Sequence, residues 1–408
     1  MKIPSIFIGK AVQKVAKLKG SDGSALPGLV VEKTNPNFIK NVLSKLPYGV
    51  VAVSGTNGKT TSTKIITELL EKQGLRVFTN KTGSNFVRGV ISSILETISL
   101  SGKFDYDIAV LELDEAHAVK FSEVVPIDYA LLINVQRDQL DRYGEIECVA
   151  NYLETVAGRV RKTAVLNRED PRVNKFKAKN PVYFGLSEKM IGMFPQDDFL
   201  IDKNKGGLDA KITLSDLDGQ HATYQCGNET YECDLTLKGT FNAYNAAGAL
   251  TVCSEILKDA EISDLVKGLE GIGSAFGRGE VFKINGTEVE MLLVKNTSAF
   301  QLSLASFADD KHDYMICAND RIADGRDISW LWNVDFSQLT NVKIVSGIRA
   351  TDVALRLKYD GIDYGRIIEN LGEALTEFTS SGDKPKRMFV TYTAMKELRK
   401  IISGKSFA

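Results

Sequence analysis

A two-part α/β fold is what this sequence predicts, and three observations carry the prediction. From Val50 to about Leu166, short β-rich runs (VVAVSG, LRVFTN, YDIAVLELD, DYALLINV, TAVLN) alternate with helical patterns. Such alternation implies a mostly parallel sheet flanked by helices. Residues 186–238 switch to short strands (KITLSD, ATYQCGN, YECDLTL) separated by Gly and Asp turns, read here as an antiparallel insertion or flap. Past a glycine cluster at Gly271–Gly279 a second α/β series begins, with strands EVEMLLVKN, DYMICAND, NVKIVSG and RMFVTYT. The expected organisation is a central parallel-sheet domain over 1–275, with an N-terminal helix within 1–45 and the small β-rich insertion. A Rossmann-like α/β domain over 276–408 follows it.

Length and composition set the bounds. A chain of 408 residues has room for two or three domains, each with its own core. Hydrophobic residues make up 43% and charged residues 25%, the balance of an ordinary globular protein. A net charge of −1 excludes a global attraction to nucleic acid. Cys148, Cys226, Cys233, Cys253 and Cys317 form no framework, which points to a reducing, cytoplasmic setting. No run reaches the length of a membrane span. The first residues are less plain. MKIPSIFIGKAVQKVAKLK holds Lys2, Lys10, Lys14, Lys17 and Lys19 without an acidic residue, and Ile8, Val12, Val15 and Leu18 fall at helical spacing. Two readings fit: a surface helix docked on its own domain, or a basic amphipathic segment on an anionic, inner membrane face.

The first strand leads into the most informative stretch, VAVSGTNGKTT at Val51–Thr61. A β-branched run enters a turn with Gly55 and Gly58, and Lys59-Thr60-Thr61 opens onto TKIITELLEK, which has helical spacing. This is the strand–loop–helix context of a phosphate-binding loop. Gly55, Thr56, Asn57, Gly58, Lys59, Thr60 and Thr61 are the candidate cradle for a nucleotide. The expected roles are Lys59 on the β/γ-phosphates and the Thr60 hydroxyl on Mg²⁺. Val53 stands where the general pattern has its first glycine.

The ends of later strands carry the other candidates. Glu112 and Asp114 close the YDIAVLELD strand, and the two-residue strand period sends both to one face. In open α/β sheets ligands bind at that edge, so Glu112 is a candidate Mg²⁺ ligand beside the loop. Asn134–Arg142 (NVQRDQLDR) follows the next strand in the same manner, and Asn167–Pro171 closes the one after it as a capped turn. Phe241, Asn242 and Asn245 open a long helix; an amide suits an adenine edge, while Asn242 serves equally as a helix cap. In the second series, Asn319–Trp332 packs Asp320, Arg321, Asp324, Arg326 and Asp327 beside both tryptophans, Trp330 and Trp332. Such a loop suits binding or catalysis, with the rings as anchors. Cys226 and Cys233, with His221 nearby, are too few to hold structural zinc. No nucleophile triad is evident.

Taken in order, these residues resemble the Mur ligase superfamily: GTNGKTT at Gly55–Thr61, the Glu112 strand end, Asn134 with Asp138 and Asp141, Asn167–Asp170, and F-N-x-x-N at Phe241–Asn245. Arg278 in FGRGE matches that family's interdomain arginine. With the loop near residue 55, there is no room before it for a UDP-sugar domain. DGRDISWLW, NVQRDQLDRYGEI and the opening KAVQKVAKLKG narrow the likeness to the MurT type, the synthetase subunits of lipid II isoglutaminyl synthase. The resemblance covers nearly the whole chain. It implies ATP and Mg²⁺ as cofactors, and a GatD-type glutamine amidotransferase partner that supplies ammonia. It also implies amidation of the D-glutamate α-carboxyl of the lipid II stem peptide through an acyl phosphate. It assigns catalytic roles to Lys59, Glu112 and Arg278, and implies that Asp324, with Asp327 as the near alternative, completes the partner's Cys–His pair. Glu154 stands near the place where other family members use a carbamylated lysine, and Gln139 where many have a metal-binding histidine. Two other readings stay open: a stand-alone Mur or folylpolyglutamate-type amino-acid ligase, and a non-catalytic nucleotide-binding scaffold.

Overall fold

The computed structural model of the protein describes residues 3–18, 26–80, 86–136, 145–194, 207–273, 278–284, 286–380, 382 and 384–404. The first sheet contains β1 (Gly49–Ser54), β2 (Val77–Thr79), β3 (Ile108–Glu112), β4 (Tyr129–Leu132), β5 (Thr163–Asn167), β6 (Pro181–Leu186), β7 (Ala210–Asp218), β8 (His221–Cys226) and β9 (Glu229–Asp234). Their spatial order is β2-β3-β1-β4-β5-β6-β7-β8-β9. All pairings are parallel as far as β7, and β8 and β9 are antiparallel.

Every residue of β1 is buried, as a central parallel strand covered on both faces must be. The two-residue period divides its side chains. Val51 and Val53 join Ile65 and Ile66 of the helix Lys59–Lys72 and the helix Thr240–Ile256. Val50 and Ala52 face Phe38, Ile39 and Leu43 on the opposite side. The helix Thr240–Ile256 is buried almost all round, because Ala243, Ala246, Ala247 and Ala249 let it lie close against the sheet. At the N-terminus three helices, Ile3–Leu18, Leu26–Thr34 and Phe38–Leu43, stand where one was expected.

The segment expected as an antiparallel insertion or flap is part of the main sheet. β7 adds to β6 in parallel, and β8 and β9 extend the same surface. Ile212, Leu214, Ala222 and Tyr224 alternate inward and share the core of the long helix, so the hairpins have no independent face. Tyr224 is fully buried and its hydroxyl donates to the carbonyl of Ala243 at 3.0 Å.

The second sheet holds β10 (Arg278–Ile284), β11 (Thr287–Leu293), β12 (Asp313–Cys317), β13 (Val342–Ser346), β14 (Tyr364–Ile368) and β15 (Lys386–Val390), ordered β10-β11-β15-β12-β13-β14. It is parallel except for the β10–β11 hairpin. Phe300, Tyr314, Phe336 and Phe389 fill one face, and Met291, Met315, Phe378 and Met388 the other. This is the expected mixed α/β architecture with a Rossmann-like second sheet.

Tyr224→Ala removes a large buried ring and a buried hydrogen bond, so it should cost about 3–5 kcal/mol. If the hairpins belong to the sheet, thermal unfolding should lower the melting point and nucleotide binding together. A detached flap would leave nucleotide binding intact.

Candidate active site

β3, β1 and β4 are neighbours, so the segments after Glu112, Ser54 and Leu132 emerge together at one edge of the sheet. β1 runs through Val53 to Ser54, and the turn is made by Gly55 instead, with φ 137°. A side chain there would lie 3.0 Å from the backbone of Asn134 as well as in an unfavoured conformation. Gly58, with φ 90°, caps the helix Lys59–Lys72.

An amide cradle fixes this loop. Asn134 behaves like a strand neighbour: its Oδ1 accepts from the Asn57 N–H at 2.9 Å and its Nδ2 donates to the Asn57 carbonyl at 3.0 Å. Its backbone carbonyl accepts from the Thr56 N–H at 3.0 Å. The Thr56 hydroxyl accepts from the Gln136 N–H at 2.9 Å, and Asn57 Nδ2 donates to Gln136 Oε1 at 2.6 Å.

Lys59 is 9% exposed, and its ammonium lies inside the loop. Nζ donates to the Gly55 carbonyl at 2.5 Å and sits 3.0 Å from Glu115 Oε1. Burial works against the charge, yet Glu115, then Asp114 and Glu112, outweigh it and raise the lysine above its ordinary range. Glu115 was not singled out by sequence. Its signal is an acid in the first turn of the helix Glu115–Val124, directly after the acidic strand end. Glu112 is held in place through its backbone, which exchanges hydrogen bonds of 2.8 and 3.0 Å with the Asn80 side chain.

Asn245 is the clearest unpaid polar group. It is 2% exposed, and neither amide atom has a protein partner among the described residues. A Cβ on Gly58 would meet its Oδ1 at 2.7 Å, so the amide lies directly against the loop. The buried hydroxyls of Thr61 and Ser62 are likewise without partners. An unsatisfied buried amide is costly and calls for a ligand-side account. Asn242 differs: the cap of its helix is Gly239, not Asn242, and its Nδ2 donates to the Lys238 carbonyl at 2.8 Å. It lines a cleft with Phe241, Leu302 and Phe307.

The second sheet's domain reaches the same loop through Lys295 and Asn296, two residues that sequence reasoning missed. Lys295 Nζ donates to the Thr56 carbonyl at 3.0 Å, and Asn296 and Asn57 exchange amide contacts of 3.3 Å. Asn296 also caps the helix Thr297–Phe307 by accepting from the Ala299 N–H at 2.8 Å. The only sequence signal was a Lys-Asn pair following a strand.

Other candidates are placed elsewhere. Asp138, Gln139 and Asp141 lie outside the described residues, as does the side chain of Arg278, whose backbone starts β10. Glu154 Oε1 accepts from the Lys177 N–H at 3.4 Å, away from the loop. Asn167–Asp170 forms a closed network with Tyr244, whose hydroxyl donates to Asn167 Oδ1 at 2.5 Å and Glu169 Oε2 at 2.8 Å. The Asp324 loop follows β12, beside the end of β15. Asp324 is buried and accepts from the Thr393 hydroxyl at 2.5 Å, the Thr393 N–H at 2.7 Å and the Arg321 N–H at 3.1 Å. Burial raises its carboxyl above the ordinary range. Asp327 is exposed, and hydrogen bonds from Ser329, first its hydroxyl and then its N–H at 2.8 Å, hold it below that range. Trp330 packs near Phe300, while Trp332 is 44% exposed and meets Tyr359 edge-on.

A glycine turn holding a buried lysine at the head of one sheet, touched by the second α/β sheet's domain, is the arrangement expected of a nucleotide-binding protein of two α/β units. A Mur ligase middle domain matches residues 53–253 and a MurT ligase C-terminal domain matches residues 293–395. The subunit MurT of lipid II isoglutaminyl synthase (glutamine-hydrolyzing) from Streptococcus pneumoniae is 29% identical, over 94% of this chain and 93% of that one. The Staphylococcus aureus subunit of the same name is 29% identical over 90% and 89%. Among solved structures, a pseudomurein peptide ligase type C from Methanothermus fervidus has TM-score 0.70 at 19% identity, covering 92% of this chain and 84% of that one. A MurF ligase from Thermotoga maritima in complex with ADP has TM-score 0.68 at 18% identity, with coverage of 92% and 84%. The chain belongs to the Mur ligase superfamily, as a MurT-type member.

Two substitutions separate nucleotide contacts from structural ones. Asn245→Ala should leave the melting point unchanged or raised, since it removes an unpaired buried amide worth about 1–3 kcal/mol. It should weaken ATP binding, measured by calorimetry, by about tenfold. Lys295→Met should raise the KM for ATP while Tm stays within the range of a surface change, about 0.5 kcal/mol. A Lys295→Met protein with wild-type ATP kinetics would restrict that lysine to domain packing.

Proposed function

We propose that this chain is the synthetase subunit of a lipid II isoglutaminyl synthase, an ATP-dependent carbon–nitrogen ligase of cell-wall peptidoglycan synthesis. It amidates the D-glutamate α-carboxyl of the lipid II stem peptide to D-isoglutamine. Ammonia comes from a GatD-type glutaminase subunit. The observation that carries this reading is a phosphate loop touched by Lys295 and Asn296 of a MurT-type C-terminal domain. Residues 1–275 bind and activate, and 276–408 close the site and meet the partner. The work is done at the inner membrane face, where a lipid-linked substrate lies. No helix among the described residues is long and apolar enough to cross a membrane.

A carboxylate offers no leaving group to ammonia, so it must first be activated. One carboxylate oxygen attacks the γ-phosphorus of ATP, the bond to the bridging oxygen breaks, and ADP departs. Ammonia then adds to the acyl phosphate carbon, gives up a proton, and inorganic phosphate leaves with the C–O electrons. Lys59 and the N–H groups of Gly55–Thr61 receive the phosphate charge, and Asn242 and Asn245 offer amides to the nucleotide. Thr60 and Glu112 would hold Mg²⁺, which neutralises phosphoryl oxygens. Among the described residues no three His, Cys, Asp or Glu gather into a metal set. Arg278 is assigned as the closing clamp on the transferred phosphate.

The carboxylate that orients the partner's histidine comes from the Asp324 loop, the role such a residue has in any triad. Asp324 is fastened to Thr393 and fixed in position; Asp327 faces outward.

With the glutaminase subunit, lipid II, ATP and glutamine, mass spectrometry should show conversion of acid to amide, with ADP released only when acceptor is present. Free ammonium should replace the partner. A requirement for an amino acid in place of ammonia would indicate a stand-alone ligase, and no ADP release under any mixture would indicate a scaffold. Asp324→Asn should lower glutamine hydrolysis by the complex about tenfold or more while ATP binding persists. If Asp327→Asn does this instead, the two carboxylates exchange roles.

A further inference from the structure

Residues 1–21 contain five lysines and no acidic side chain. The helix Ile3–Leu18 is covered along one side only. Ser5, Ile6, Gly9 and Ala16 are turned inward, and a Cβ on Gly9 would lie 2.7 Å from both Leu95 and Val31. Lys10 Nζ donates to the Leu95 carbonyl at 2.7 Å and Gln13 to the Ser92 carbonyl at 3.3 Å, which fixes the rotation of the helix. The opposite side is also apolar. Phe7 is 54% exposed, Ile8 44% and Val15 53%, with Ala11 exposed between them and Leu26 of the next helix at 52%.

At 3.6 residues per turn, positions 7, 11, 15 and 8 span about 100° of the helix surface. The exposed Lys14 follows along one border of that stripe, and Lys10, held to the Leu95 carbonyl, lies beyond it on the docked side. An ordinary surface helix turns its apolar stripe inward and a polar face outward. Here one side docks on the protein and a second apolar stripe, edged by the Lys14 ammonium, faces out.

We propose that this outward stripe seats the protein on an anionic bilayer surface. The rings and branched chains would enter the headgroup boundary, while lysine stems lie along it and reach lipid phosphates. The stripe is one helix wide, whereas a stable protein interface needs about 1,000 Å² or more with hydrogen-bonding groups among its apolar ones. Insertion at a membrane surface needs a single helical face. The inference is independent of the proposed chemistry, although a lipid-linked acceptor would make the position useful.

The test uses the full chain with its glutaminase subunit, without nucleotide or lipid II, sedimented with vesicles of phosphatidylcholine alone or mixed with phosphatidylglycerol. The protein should pellet with the anionic vesicles, be released by high salt, and stay in solution with the neutral ones. Phe7→Ser with Val15→Ser should weaken that association about tenfold or more, with an unchanged melting point. Lys14→Glu, a change at a single exposed charge, should weaken it on anionic vesicles. Absence of vesicle binding by the wild type, equal binding to both compositions, or variants that bind like the wild type would overturn the proposal. Variants that lose subunit assembly or self-association while keeping vesicle binding would also overturn it, by giving the stripe to a protein.

Discussion

The Lys59–Glu115 pair sets the terms for everything around it. An ammonium so little exposed persists only where opposite charge and carbonyl oxygens repay its lost water, and Glu115 with the Gly55 carbonyl does this at 3.0 and 2.5 Å. The loop must therefore fold tightly round the lysine. That demands left-handed backbone at Gly58 and a neighbour at Gly55 too close for a side chain. The strand order follows the same need, since only β3 and β4 beside β1 can deliver Glu112, Glu115 and Asn134 to one point. Removing either member of a buried pair is far more damaging than never having built it.

The two domains meet at the loop through polar groups, and beside them Leu302 of the second domain packs into the core of the first. Asn57 and Asn296 exchange amide contacts, and Lys295 reaches a single carbonyl. Amide and ammonium groups are about as well satisfied by water as by each other, so net hydrogen-bond gains are on the order of 1 kcal/mol each. Lys238 with Glu290, at 3.2 Å and half open to solvent on the lysine side, has the same character. Leu302, buried in the first domain's core, adds an apolar contact to these polar ones.

Much of the first sheet was legible because buried parallel strands read as continuous β-branched runs, and the loop because glycines and a lysine have few other uses between a strand and a helix. The hairpins at β7–β9 misled for a physical reason. Alternation reports that one face is buried, but not whether it lies against its own hairpin or against the main core. Asn242 and Asn245 were equal on paper; the structure parts them, since Asn242 bonds Lys238 and the buried Asn245 amide has no protein partner among the described residues. Lys295 went unnoticed, and Glu115, although part of the acidic strand end, was given no role, because their meaning lies in contacts 239 and 56 residues away in sequence. No local pattern carries that information.

Charge at the loop constrains what can bind there. Glu112, Asp114 and Glu115 all act on Lys59, and Lys295 is the other ammonium that touches the loop among the described residues. Among the described residues, three carboxylates are thus brought to Lys59 at the edge where a phosphate would bind. A polyphosphate alone would meet repulsion that a water-poor site screens weakly. On the proposed reading, a divalent cation arriving with the nucleotide would take Glu112 as a ligand and leave Lys59 and Lys295 to meet the phosphates. The acidic strand end, awkward for an anion site taken by itself, is what such a ligand requires.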